Sequence, residues 1–152
     1  MSRSTQKPKE QYVPLGYPFL KSPAWRSLSG AAVKVWLELH TRYHGGNNGR
    51  LFLSLNEAKD ALGMGKSSVQ RAFRELEVKG FIVMEKEGSW YHRQAHEWRL
   101  TTKSMQTVRG KQAATNDWRD WRPPKTKHGP KTDPSASLVV PFEDPRRRHG
   151  PV

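Results

Sequence analysis

Residues 54–84 read SLNEAKDALGMGKSSVQRAFRELEVKGFIVM, and this stretch decides the fold. Ser54 and Glu57 stand three apart, the spacing of a capping box, so a helix begins there. Leu55, Ala58, Ala61 and Leu62 supply its apolar side. Gly63-Met64-Gly65 breaks it sharply. A further helix is predicted over 66–79, with Val69, Ala72, Phe73 and Leu76 as its buried stripe and Gly80 as its stop. Phe81 to Lys86 then reads as a strand. Residues 87–94 form a loop, and a return strand over 95–101 makes a hairpin.

Working upstream, Ser29 is an N-cap for a helix running to about Tyr43. Ala32, Val35, Trp36, Leu39 and Tyr43 recur at three and four spacings on one face. Gly45, Gly46, Asn47, Asn48 and Gly49 end it, and Leu51-Phe52-Leu53 suits a minimal strand. Residues 1–24 are polar and Pro-containing and read as an extended arm. The half with Leu15, Tyr17, Phe19 and Leu20 can pack on the domain, while the first ten residues read as loose. Downstream, from Lys103, periodic apolar material thins out. That tail holds 11 Lys and Arg against 5 Asp and Glu, the composition of a largely flexible segment. Two patches interrupt it, Asp117-Trp118-Arg119-Asp120-Trp121 and Leu138-Val139-Val140-Pro141-Phe142. Each reads either as a docking segment or as a piece that lies back on the parent domain.

The chain has 152 residues, 34% apolar, enough for one modest core. Its 27 Lys and Arg against 14 Asp and Glu leave +13 with His neutral. That excess favours a polyanionic partner through steering and counterion release. Ribosomal and membrane-surface proteins share the same balance. With no Cys, a disulfide scaffold, a thiolate metal site and a Cys nucleophile are all excluded. There is no apolar run near the length of a transmembrane span and no signal-peptide pattern, so the expected location is cytoplasmic, nucleoid-associated when bound to DNA.

The face of helix 66–79 opposite the stripe carries Ser67, Ser68, Gln70, Arg71 and Arg74. Arg reads guanine edges bidentately, Gln reads adenine, and Ser serves bases or phosphates. Lys66, at the helix start, suits a phosphate, as do the open N–H groups there. In the hairpin, Lys86 and Arg93 are candidates for the phosphate backbone, and Arg93 also for a narrow minor groove. Trp90 and Tyr91 have three readings: packing against arm residues 15–20, stacking on an exposed base, or meeting a protein. In the tail, Arg109, Lys111, Arg122, Lys125, Lys127, Lys131 and Arg146-Arg147-Arg148 form a diffuse basic supply, either solubilising or a non-specific DNA tether.

Ala58, Leu62, Gly63, Ser67, Val69, Arg71, Leu76, Gly80 and Ile82 match a run common in the winged helix-turn-helix superfamily, which residues 54–84 resemble. The upstream segment SPAWRSLSGAAVKVWLELHTRY (22–43) is similar to the opening helix of bacterial, plasmid and phage proteins of this kind, replication initiators and small regulators included. The resemblance implies an α+β fold of three helices and a small β-hairpin wing over residues 25–102, flanked by the arm (1–24) and the basic tail (103–152). It also implies double-stranded DNA as partner, with helix 66–79 in the major groove and the wing on the backbone. Replication initiation and transcriptional regulation both remain open, as do a homodimer and a protein partner for the tail. The competing class is a winged-helix protein-interaction module, for which Trp36, Trp90, Trp118 and Trp121 are aromatic anchors.

Enzyme motifs fail. Gly65-Lys66-Ser67 resembles the end of a phosphate loop, but the required first glycine is Asp60. His40 and His44, and His92 and His96, are four apart without Cys or clustered carboxylates, so no metal and no cofactor is expected. Glu75 and Glu77, two apart on a helix, do not face each other. No serine has an evident base and orienter.

Overall fold

The computed structural model describes residues 10–125. The loose first residues of the arm, Lys127, Lys131 and Arg146–Arg148 of the basic tail, and the 138–142 patch lie outside the described residues. In chain order the elements are α1 (Tyr17–Leu20), α2 (Pro23–Arg26), α3 (Gly30–Thr41), β1 (Leu51–Phe52), α4 (Leu55–Leu62), α5 (Lys66–Val78), β2 (Ile82–Lys86), β3 (Glu97–Leu100), β4 (Met105–Thr107), β5 (Gly110–Gln112) and a 3₁₀ turn, Asp117–Arg119. β1, β3 and β2 form an antiparallel sheet in that order, with Leu51 opposite Trp98 and Ile82 opposite Leu100. β4 and β5 make a separate hairpin. Helices α3, α4 and α5 with this three-stranded sheet form a winged helix-turn-helix. No helix among the described residues is long and apolar enough to cross a membrane.

The helix starts follow from local chemistry. Ser22, Ser29 and Ser54 each accept a backbone N–H three residues on. Ser54 and Glu57 complete the capping box, with Glu57 Oε2 accepting the Ser54 N–H at 2.9 Å. α4 ends at Gly63 in the left-handed region, φ 64°. There a glycine carries no Cβ penalty. The long helix α3 is slightly shorter than its periodicity suggested, stopping at Thr41, because Asn47 draws the chain into a turn. Its side chain accepts from His44 N and donates to the Arg42 carbonyl.

The buried face of α5 is Val69, Ala72, Phe73 and Leu76, as its periodicity requires. It packs with Ala32, Val35, Trp36 and Leu39 of α3 and with Leu51, Phe81, Ile82, Trp98 and Leu100 around the sheet. On α4 only Ala58 is fully buried, and Ala61, assigned to the apolar side, is exposed. An eight-residue helix seated by one edge turns its last small residue to solvent.

The packed unit is wider than residues 25–102: the arm expected to be extended instead turns through α1 and α2, each with a proline in its first turn where the fixed φ suits a helix, and the tail expected to be flexible forms the β4–β5 hairpin. Phe19 of the arm sits at the centre of an aromatic cluster, with Trp25 at 4.8 Å, Trp36 at 5.3 Å, Phe81 at 5.8 Å and Trp118 at 4.9 Å between ring centroids. Trp118, in the tail, is buried in the core. Offset and edge-on aromatic pairs of this kind add to the stability from area burial. The return path uses Gly80. Its φ is 78°, and a Cβ there would meet the Asp117 carbonyl carbon at 2.7 Å and Trp118 N at 2.8 Å. One glycine thus both ends α5 and leaves room for the tail. Thr101 ties the same region together, donating to the Gly80 carbonyl at 2.7 Å while its own carbonyl accepts from Asn116 N at 2.9 Å.

Candidate nucleic-acid interface

α5 follows α4 after a three-residue turn, Gly63-Met64-Gly65, and Met64 is half-buried at the core edge. The stripe at 69, 72, 73 and 76 turns one side of α5 inward. Residues 67, 70, 71 and 74 recur at three and four spacings and so share the opposite side. Lys66, Ser67, Gln70, Arg71 and Arg74 are all exposed there, and Ser68 is half-buried at the margin. The five expected readers and the lysine are therefore brought together, with Ser68 the least accessible.

Two features keep this face open. α5 begins at Gly65, which offers no side-chain cap, whereas α2, α3 and α4 each have a serine cap. The first-turn N–H groups of α5 are thus left for solvent or an anion. Second, Lys66, Arg71 and Arg74 make no ion pair among the described residues. Of the two carboxylates on the same helix, both in its last turns, Glu77 is exposed and Glu75 is engaged elsewhere. Glu75 accepts from Ser29 N at 3.0 Å, Ser29 Oγ at 2.6 Å and Lys79 Nζ at 2.7 Å. Burial works to raise its pKa, and the bonds from Lys79 and Ser29 together outweigh it, holding Glu75 below the ordinary carboxylate value. Glu57 is also held low, first by the Ser54 backbone N–H, and pairs loosely with Arg42. These acids anchor α3 and α4, leaving the cations of α5 uncompensated by them.

Residues 26–82 match the family model of a helix-turn-helix domain. The fold of residues 26–82 is thus that of a helix-turn-helix domain. No curated protein and no solved structure matches the chain.

The wing of this helix-turn-helix domain is rooted on α5. Trp98 of β3 stacks on Phe73 at 4.9 Å with the rings 10° apart, and His96 meets Trp98 edge-on at 5.9 Å. His96 Nδ1 accepts the Gly88 N–H at 3.0 Å, which draws the base of the loop closed. Of the two wing candidates, Arg93 is exposed near the tip, with φ 51°. Lys86 lies 3.5 Å from Glu97, so its charge is partly neutralised. Trp90 and Tyr91 do not pack on the arm: they are 92% and 94% exposed. The arm residue nearest in kind, Phe19, is committed to the core instead. In the tail, Arg109 and Lys111 are exposed on the β4–β5 hairpin.

Asn48 carried no signal in the sequence beyond a loop. In the structure it is 3% exposed and clamps the domain: its amide donates to the Leu100 and Lys103 carbonyls at 2.9 Å, and its Oδ1 accepts Leu100 N at 2.7 Å. This side chain takes the place of a strand partner at the end of β3, fixing where the chain leaves the wing. His40 is the other buried polar group of note. Its Nδ1 lies 2.9 Å from the Trp36 carbonyl, so that nitrogen carries the proton. Burial lowers its pKa to about 4, so the ring is neutral at physiological pH.

Proposed function

We propose that this chain is a sequence-specific double-stranded DNA-binding protein. α5 enters the major groove by its N-terminal half. Arg71 and Arg74 take guanine edges, Gln70 an adenine edge, and Ser67 and Ser68 bases or phosphates. Lys66 and the uncapped N–H groups hold a phosphate. Arg93, and Lys86 more weakly because of Glu97, contact the backbone from the wing. The observation that carries the reading is the open cationic face of α5, uncapped at its start and opposite a fully buried stripe, within a helix-turn-helix domain. The process served is replication initiation or transcriptional control at a plasmid, phage or bacterial locus, with the upstream helix favouring initiation.

The interaction-module reading draws less support. Of its four aromatic anchors, Trp36 and Trp118 lie in the core and Trp121 is half-buried beside Lys79, whose ammonium is 5.3 Å from its ring. Only Trp90 stays available. The test is selection of duplexes from a random pool by the full chain and by R71A/R74A. Each bidentate Arg–guanine pair lost costs about 1–3 kcal/mol and relaxes one position. A selected motif that vanishes with the two arginines supports the reading, and its symmetry reports on dimerisation. A motif unchanged by R71A/R74A sinks α5 as the reader.

A further inference from the structure

All six tryptophans fall within the described residues, and five of them are buried or half-buried. Trp90 is the exception, at 92% exposure, and Tyr91 beside it is at 94%. A large ring left in water is the informative case, because burial of apolar surface is the default use of tryptophan. These rings do not hang on a loose loop. Gln94 N donates to the Ser89 carbonyl at 3.0 Å and Arg93 N to the Trp90 carbonyl at 3.2 Å, closing a turn around them. Gly88 is pressed against Gln94 and Ala95 so closely that a Cβ would overlap the Gln94 carbonyl oxygen. The turn is thus ordered from its base, and the base is fixed to α5 through the Phe73–Trp98 stack.

We infer that the wing tip is a stacking platform for an unpaired DNA base, so that the protein prefers duplex whose pairing is interrupted beside the α5 contact. The inference rests on the reading of α5 as the helix that docks on DNA. In intact duplex the base faces are covered by their neighbours, and a wing meets only phosphates and groove edges. A flat indole and a phenol have nothing to stack on there. An unpaired base exposes its face, and aromatic side chains take such faces without regard to sequence. Charge selects nucleic acid over a protein groove as the occupant. Arg93 follows the rings two residues on and makes no ion pair among the described residues, and the whole chain is at +13 with His neutral. A backbone phosphate beside the stacked base would lie within reach of that guanidinium.

The test compares the full chain, W90A/Y91A and R71A/R74A on two probes: a random-sequence duplex, and the same duplex with a short central run of mismatched pairs containing a fluorescent adenine analogue. The wild-type chain is expected to bind the mismatched probe about ten-fold more tightly or better, the effect of a single ring–base stack, and to change the analogue's emission. W90A/Y91A should bind both probes alike, retain affinity for matched duplex, lose the emission change and melt at the wild-type temperature. R71A/R74A should weaken both probes and keep their ratio. A full chain without preference, or a preference that survives W90A/Y91A, overturns the inference. So does an equal loss on both probes in W90A/Y91A, which makes the tip a contact to paired DNA. If R71A/R74A changes nothing while W90A/Y91A abolishes the preference, the reading of α5 falls and the stacking platform stands. Binding to neither probe overturns both and leaves the rings for a protein partner.

Discussion

Replacing Trp118 by alanine tests whether the tail is part of the folded unit. Trp118 is 7% exposed, and its ring meets Phe19 edge-on at 4.9 Å. A buried aromatic of this size removes roughly 150–250 Å² from water, worth about 4–6 kcal/mol at about 25 cal/mol per Å². Compactness of the unfolded chain trims that figure, and truncations of Trp or Phe to Ala cost about 3–5 kcal/mol. Among the described residues its Nε1–H bonds only to Asn116 Oδ1, a neighbour two residues away, at 3.2 Å. Removing the indole leaves that carbonyl near the surface, so little is added. The expected loss is about 3–4 kcal/mol, a large share of the roughly 5–15 kcal/mol of a typical domain. Urea unfolding, followed by circular dichroism on the full chain, measures it. Trp90→Ala is the control: at 92% exposure its loss should stay within about 0.5 kcal/mol. A Trp118→Ala loss below about 1 kcal/mol, or one equal to that of Trp90→Ala, refutes the assignment of the tail to the core.

Gly80→Ala should be costlier than Gly63→Ala, although both glycines have positive φ near the left-handed region, 78° and 64°. The conformational cost is about 1–2 kcal/mol at each, but at Gly80 the added Cβ also strikes the Asp117–Trp118 backbone, which adds about 1–3 kcal/mol of overpacking. Around Gly63 the space is open. Equal losses in urea would dismiss the close approach of the tail. His40 predicts a pH dependence. Its pKa falls from 6.5 to about 4 on folding, so between those values the unfolded chain binds the extra proton and stability drops as the pH is lowered. The full effect, of order 3 kcal/mol, is reached below about pH 4. His40→Asn, which can still donate to the Trp36 carbonyl, should flatten that slope in pH-dependent urea melts. An unchanged slope assigns the acid sensitivity to other groups.

Sequence alone determined the helix-turn-helix. Its signals are local: the Ser54–Glu57 box, the glycines around Met64 and the stripe at 69, 72, 73 and 76 each act within one or two turns of chain, so they survive without knowledge of neighbours. The exposed cationic face of α5 came with them, because a helix that buries one side must expose the other. What only the tertiary structure decided lies in contacts far apart in sequence. Trp118 and Phe19 sit in segments with no periodicity, and nothing near either residue tells that they meet over Gly80. Asn48 looked like loop polarity until Leu100 was found opposite it, 52 residues on. Trp90 and Trp118 are the same residue type in similarly polar surroundings. One is buried and the other exposed because the tail is led back over the core by Thr101 and Asn116, whereas the wing's hydrogen-bonded turn holds its rings out beyond every packed element.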